Sequence, residues 1–488
     1  MYTLLTGATG LVGRYLMRDM LLNGHQLAVV VRASKKQNPQ ERIEEVLQRW
    51  EEELGRKLPR PVVFAGNISE ESFNLTDDNR AWIRNHVSTI IHSAAILEFY
   101  GEDRAGEPWR TNLGGTRHMI SLCRECEIHD IHYVSTAYVA GMQDGPAMED
   151  ALDVGQTFRN DYEESKFLAE QEVRAIDFAD HVTVYRPAVI AGDSKTGYTN
   201  TYHGIYLYLR LMSMLIPSMP ADETGNRHTP IRLRLTGDEQ RNVVPVEWIS
   251  AVMLRIFETE EARGGTYNMA PDEPLVARDM IDWCGEYFKT TGVELRGHDF
   301  EYDEVSREDD EDQWMFERIV RDNMGTYEPY ERTDNVFDMT QMKKFAADIV
   351  CPKLDRTIMH RYIEYGEQDK WGKRRQPPTS VTAWASDLIG NAASAKLPIT
   401  EAFEFGLDVQ GPGGGQFTLT RRPATGELTV IAGLADRNMP TLEITTEELQ
   451  QLQSNPSAVS VSDPASVKAL KSLQAVLSGM NQTSSVVN

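Results

Sequence analysis

Tyr162 and Lys166 stand four residues apart in the run DYEESK, a spacing that puts both side chains on one face of a helix. A phenol and an ammonium on one face suit carbonyl chemistry. When hydride reaches a carbonyl carbon, the oxygen gathers negative charge that must be held or protonated. A phenol with a pKa of roughly 10 does this poorly at neutral pH, and a neighbouring ammonium is expected to stabilise the phenolate and lower that value. Thr136, in VSTAYVAG 26 positions before Tyr162, supplies a second hydroxyl from a neighbouring element. Ser135 competes with it, but alternation along a strand lets only one of the two face the site. Asn112, in TNLGGT, is a candidate for a structural or proton-relay contact, and its simplest role is to cap or brace a helix.

Such groups need a rigid frame, and the first 190 residues supply the pattern of one. Short apolar runs at Thr3 to Leu5, Leu27 to Val31, Val62 to Phe64, Thr89 to His92, Ile131 to Val134 and Thr183 to Tyr185 alternate with longer amphipathic stretches. This is how successive βαβ units of a doubly wound parallel sheet read. Asn242 to Val246 looks like a further strand returning to the sheet.

TGATGLVG follows the first run directly, with a helix-like stretch from Arg14 to Leu22 behind it. Gly7, Gly10 and Gly13 allow a tight turn and a close approach of backbone amides to a pyrophosphate at a helix N-terminus. The cofactor contacts are assigned to Thr6, Gly7, Thr9, Gly10, Leu11, Val12 and Gly13. The second strand ends at Arg32, where a dinucleotide lacking the 2′-phosphate would ordinarily meet an acidic residue. A guanidinium there suits a 2′-phosphate, so NADP(H) is the expected cofactor. Asn67 and Ile68 follow the third strand and suit the adenine; the Asn67 amide can both accept from and donate to it. Ser93, Ala94 and Ala95 follow the fourth strand and are small enough to let a cofactor pass, while His92 reads as a packed residue. Pro187, Tyr162 and Lys166 complete the set.

Composition narrows the class of partner. The 488 residues carry 74 acidic and 50 basic side chains, a formal charge of -24 that repels nucleic acid and anionic membranes. Four cysteines are too few for a disulfide framework, no secretory leader precedes the first strand, and no apolar run is long enough to span a bilayer, so a cytoplasmic location is expected. Cys123 and Cys126 have no second pair near them, and Asp303 to Asp312, with seven carboxylates in ten residues, reads as a solvated face; no metal site is expected.

With these motifs in place the sequence resembles the extended short-chain dehydrogenases, within them the branch of fatty acyl-CoA reductases and thioester reductase domains. The resemblance is carried by TGATGLVG, NDYEESKFLAEQEV, YRPAVIAGDSKTG (185–197) and NVVPVEWISAV (242–252), and by YEPYERTDNVFD near the end of the reductase portion. It implies a Rossmann sheet, NADPH-dependent reduction of an acyl thioester to an aldehyde or onward to an alcohol, and catalytic roles for Thr136, Tyr162 and Lys166. A homodimer is one assembly compatible with it. The same residues would also serve an epimerase, dehydratase or hydroxysteroid-type dehydrogenase, and a non-catalytic nucleotide-binding scaffold is the reading from another class.

The expected organisation is an NADP-binding domain over residues 1–195, a substrate-shaping region over 196–369, a basic, proline-containing linker over 370–378 and a small α+β domain over 379–488. In the last, Phe417 and Leu419, Leu428 and Val430, and Leu442 and Ile444 alternate as half-buried strands do, with turns at Gly411 to Gly415 and Pro423 to Gly426 between them. Thr445 or Thr446 can cap a helix carrying Leu449 and Leu452, and Gln482 to Asn488 reads as a frayed tail. GGGQFTLTRRPATGELTVIAGL faintly resembles sterol-carrier lipid-binding domains, which implies an apolar ligand pocket; a plain packing or dimerisation domain is the alternative.

Overall fold

In the computed structural model, the first strand-like run becomes β1 (Tyr2–Thr6), and α1 (Leu11–Leu22), β2 (Leu27–Val31), α2 (Pro39–Leu54), β3 (Val62–Ala65), α3 (Asp77–His86) and β4 (Val87–His92) follow. Then come α4 (Gly115–Cys126), β5 (Asp130–Val134), α5 (Asp161–Arg174) and β6 (His181–Pro187). The structure describes every residue except 301–309, 374–383, 394–400, 422–427, 437, 456 and 485–488. The acidic run is therefore described only at residues 310–312, the linker only at 370–373, and the Pro423 to Gly426 turn lies outside the described residues. Gln482, within the expected frayed tail, is still helical.

All six expected strands form, and they pair in parallel with β3, β2, β1, β4, β5 and β6 side by side. β1 and β2 are buried along their whole length, as the continuous apolar runs of a sheet covered on both faces require. One face packs on α1 and α2, through Leu16, Met20, Val46 and Trp50; the other packs on α4 and α5, through Met119, Leu122 and Val173. Order reverses between β1 and β4, where Thr6 lies in register with His92. The carboxyl ends of these two strands are the switch point, where open parallel sheets bind ligands in a crevice.

The segment beyond β6 departs from expectation. β7 (Val189–Ala191), α6 (Ile205–Leu215), β8 (Arg227–Leu233), β9 (Gln240–Arg241), β10 (Val243–Pro245) and α7 (Val246–Glu258) precede β11 (Thr266–Met269). The Asn242 to Val246 run yields β10, which pairs with β7 in a separate ribbon, and the seventh strand of the main sheet is β11 beside β6. Asn242 is drawn away by the 334–335 segment, its N–H donating to Asp334 and its side chain to the Asn335 carbonyl. β11 carries a buried Asn268 that local pattern disfavours in a strand; the carbonyls of Ala147 and Asp338 accept from its amide.

The C-terminal residues form a helix (Trp384–Ala393), a sheet whose four strands Phe403–Gln410, Gly415–Arg421, Leu428–Ala432 and Thr441–Thr445 run in the order third, second, first, fourth, and two further helices, Thr446–Ser454 and Pro464–Ser484. Thr445 caps the first of these helices in a reciprocal box with Glu448. Its sheet docks at the amino ends of the main strands: the Tyr2 hydroxyl accepts from Leu434 N–H, and Trp82 donates to the Ala432 carbonyl at 2.8 Å. A Cβ on Gly433 would sit 2.6 Å from the Tyr2 hydroxyl and 2.8 Å from the Trp82 ring, so the close approach needs glycine.

Beside this contact Arg60 is fully buried between Glu44 and Glu51. Arg60→Met leaves Glu44 without its cation and Glu51 with Lys57 alone, and is expected to cost about 3–5 kcal/mol. Urea denaturation of the full chain measures it, and stability within about 0.5 kcal/mol of wild type would contradict the assignment.

Candidate active site at the carboxyl ends of the central strands

Gly7 leaves β1 with φ of +76° and packs against the start of the chain after β4; a Cβ there would lie 2.8 Å from Ser93 C and Ala94 N. A Cβ on Gly13 would lie 2.1 Å from the Gly7 carbonyl. These two glycines let the loop close on itself. A Cβ on Gly10 would meet only the Gly7 oxygen, at 3.3 Å, so that side of the loop is open. Gly10 precedes α1 and gives it no side-chain cap, which leaves the first-turn amides at Leu11, Val12 and Gly13 without a capping side chain. An uncapped helix start beside an open glycine fits a pyrophosphate. Thr6 ties the crevice walls together: its hydroxyl lies 3.0 Å from His92 Nδ1 and accepts from Ala94 N–H at 3.2 Å. His92 is a packed residue, kept neutral by burial with the Lys166 charge adding to the effect, which together push its pKa down to about 3.

Arg32 is exposed at the end of β2. The structure adds Arg42, which the sequence reading passed over: its guanidinium donates to the Arg32 carbonyl at 2.5 Å and to the Thr9 hydroxyl at 3.0 Å. Thr9 also receives, at its carbonyl, Arg14 at 2.9 Å and Asn200 at 3.1 Å. Burial lowers the Arg42 pKa, and the nearby charges of Arg32 and Arg14 lower it further, so three cations crowd this end of the crevice. Arg42 falls in the first turn of α2, just after the Asn38–Glu41 capping box. Asn67 is turned to a local task, its side-chain oxygen accepting from Ser69 N–H, and Ile68 packs on Gly115 at the start of α4.

At the far side of the crevice α5 presents Tyr162 and Lys166, as expected from their spacing. Burial pushes the Tyr162 phenol up to about 12, and the nearby Thr136 hydroxyl offsets this only in part. Ser135 points the other way and donates to Glu170 at 2.6 Å. Glu170 also receives Arg186 at 2.7 Å and Arg174 at 2.8 Å. Burial would raise the Glu170 carboxyl, but the Arg186 charge and hydrogen bonds outweigh it and hold the group below the usual range. Pro187 closes β6 beside Thr136, whose hydroxyl is 3.5 Å from its carbonyl oxygen.

Lys166 departs from the simplest expectation. Its ammonium is turned toward β5, donating to the Tyr133 hydroxyl at 2.8 Å and the Val134 carbonyl at 2.9 Å, and lies 4.3 Å from the centre of the Tyr133 ring. Burial, partly offset by Glu170, pulls its pKa down to about 7. Asn112 braces the frame: its amide accepts from and donates to the Ile96 backbone, at 2.9 and 3.1 Å, and donates to Ser165.

An aromatic wall stands beside Tyr162. Phe99 is 6.4 Å from the Tyr162 ring, 5.0 Å from Tyr327 and 5.5 Å from Tyr330, between centroids. The Tyr330 hydroxyl donates to Glu163 and accepts from Asn160, both at 2.8 Å, fastening this wall to the first turn of α5. The Tyr138 hydroxyl holds Asp334 in the same way. Tyr327, Tyr330 and Asp334 all lie in the YEPYERTDNVFD stretch, which local pattern alone did not assign to the site.

The model of the Male sterility protein family, an NAD-binding family, matches residues 5–253, just over half of the chain. Aldehyde reductase lnaA of Aspergillus flavus is 26% identical over 411 residues, covering 78% of this chain and 37% of that protein. Glycine betaine reductase ATRR of Emericella nidulans is 24% identical over 406 residues, covering 77% of this chain and 29% of that protein. The chain thus spans little more than a third of one of these relatives and less than a third of the other. Among solved structures, the terminal R domain from the myxalamid PKS-NRPS biosynthetic pathway superimposes with a TM-score of 0.58 at 22% identity, over 77% of this chain and 92% of that one. The chain therefore belongs to the Male sterility protein family, with a nicotinamide-dinucleotide domain built on the extended short-chain dehydrogenase fold.

Proposed function

We propose that this chain reduces an acyl thioester to an aldehyde with NADPH, and the observation that carries the proposal is the Thr136 hydroxyl standing close enough to the Tyr162 phenol to lower its pKa. Two hydroxyl donors meeting at one point fit the developing oxygen charge of a carbonyl under attack. The aromatic wall of Phe99, Tyr327 and Tyr330 offers the apolar surface that an acyl chain needs. Resemblance to acyl-CoA and thioester reductases supplies the substrate class.

Bound in the crevice, the nicotinamide would supply hydride to the thioester carbon. Thr136 and Tyr162 would donate to the oxygen as its charge grows. Tyr162 then gives its proton to form a hemithioacetal, and collapse of that adduct breaks the carbon–sulfur bond to leave aldehyde and thiol. Lys166, on the same helix, would hold a ribose hydroxyl of the bound cofactor, while its ammonium rests against β5 rather than on the phenol. Cys123 is buried in the core of α4 and Cys126 beside it donates to the Arg80 carbonyl; neither is needed for this scheme.

Arg32, with Arg42 behind it, is proposed to select the 2′-phosphate. The C-terminal sheet is assigned a packing role rather than substrate delivery, because it docks through Tyr2 and Trp82 at the amino ends of the strands, remote from Thr136. The boundaries 1–195, 196–369 and 379–488 remain our division of the chain into cofactor, substrate and C-terminal units.

NADPH consumption should occur with palmitoyl-coenzyme A and not with a nucleotide sugar. Tyr162→Phe should lower turnover about a hundred- to a thousand-fold while NADPH still binds, and near-normal turnover would remove Tyr162 from the chemistry. Arg32→Ala should weaken NADPH binding about ten- to a hundred-fold and leave NADH binding unchanged. Equal weakening of both cofactors in a binding titration would refute a role in 2′-phosphate selection.

A further inference from the structure

Lys166 is buried with no carboxylate in ion-pair contact among the described residues. Glu170, one turn along α5, is committed to Arg186, Arg174 and Ser135. His92 on β4 is neutral, and Tyr162 on α5 is turned to Thr136. What the ammonium has is on β5: one phenol oxygen, one carbonyl oxygen and the face of the Tyr133 ring. Of these, only the phenol and its ring belong to a side chain. Tyr133 is itself fixed, fully buried, with its ring stacked on His92 at 6.0 Å and its hydroxyl 3.4 Å from Thr116, which in turn donates to the Asn112 carbonyl at 2.6 Å.

We infer that Tyr133 is the positioning residue for Lys166, its hydroxyl holding the ammonium against β5 in the charged form that serves the dinucleotide. The inference rests on the reading of Lys166 as a cofactor-binding residue. A buried ammonium keeps its proton only through the acceptors that surround it, and an ammonium-to-phenol bond is charge-assisted and stronger than a neutral one. Tyr133→Phe keeps the ring and its attraction for the cation but removes the acceptor. Lys166 then gives up its proton at lower pH, by about one to two units.

Binding reads this directly. Above the pH at which free Lys166 deprotonates, near 7, binding an anionic dinucleotide must take up a proton, so affinity falls with rising pH. Titration calorimetry of NADP+ into the full chain, in buffers of different ionisation enthalpy from about pH 5 to about pH 9, gives both affinity and proton uptake. Comparing variants cancels the ligand's own titration. Tyr133→Phe should move the onset of proton uptake down by about one to two pH units. In a Lys166→Met background, where the uptake is gone, adding Tyr133→Phe should change nothing further.

An unmoved onset in folded Tyr133→Phe overturns the inference. So does an equal loss of affinity from Tyr133→Phe in the wild-type and Lys166→Met backgrounds, which is what a merely structural tyrosine would give. If Lys166→Met leaves affinity and proton uptake as in wild type, the assignment of Lys166 to the cofactor fails, and this inference falls with it.

Discussion

The buried pairing of Glu170 with Arg186 decides how the rest of the site is arranged. A carboxylate and a guanidinium taken out of water together are tolerable, and either one left alone is not. Because Glu170 sits on α5 and Arg186 on β6, the pair fixes the helix against the sheet in one register. It also recruits Ser135, so that the next residue, Thr136, must face the opposite way toward Tyr162. And because its charge is already answered by Arg186 and Arg174, Glu170 does not pair with Lys166, whose ammonium is left to neutral acceptors on β5.

The other half of the site depends on backbone rather than charge. Thr6 and His92 end neighbouring strands in register, so the glycine loop and the Ser93–Ala95 segment emerge side by side. The loop can close there only because Gly7 and Gly13 lack side chains. Both halves therefore meet at the carboxyl ends of β1, β4 and β5, while the C-terminal sheet occupies the other end of β1. One strand, five residues long, separates the two sites of contact.

Whatever depends on local pattern was legible in the sequence: six strands, the glycine loop, the helix that carries Tyr162 and Lys166, and the capping helix start at Thr445. Side-chain alternation let only one of Ser135 and Thr136 face the site, and it is the bond from Ser135 to Glu170 that separates them. What escaped depends on partners distant in the chain. β11 is a strand because Asn268 finds acceptors at Ala147 and Asp338, and Arg42 joins the cofactor end because α2 folds back over β2. The first strand of the C-terminal sheet, Phe403–Gln410, does alternate, but Gly406 and the buried Asp408 mask it. The spacing of Tyr162 and Lys166 set them on one face, yet could not reveal that burial governs the phenol or that a tyrosine on β5 would claim the ammonium.

The central claim is that the crevice delivers hydride to an acyl carbon, and isotope transfer tests it most directly. NADPH carrying two deuterium atoms at C4 of its nicotinamide is incubated with palmitoyl-coenzyme A and the full chain, and the products are identified by mass. The account predicts hexadecanal, or the alcohol made from it, with deuterium at C1. Cofactor binding without any deuterium in an acyl product would contradict it.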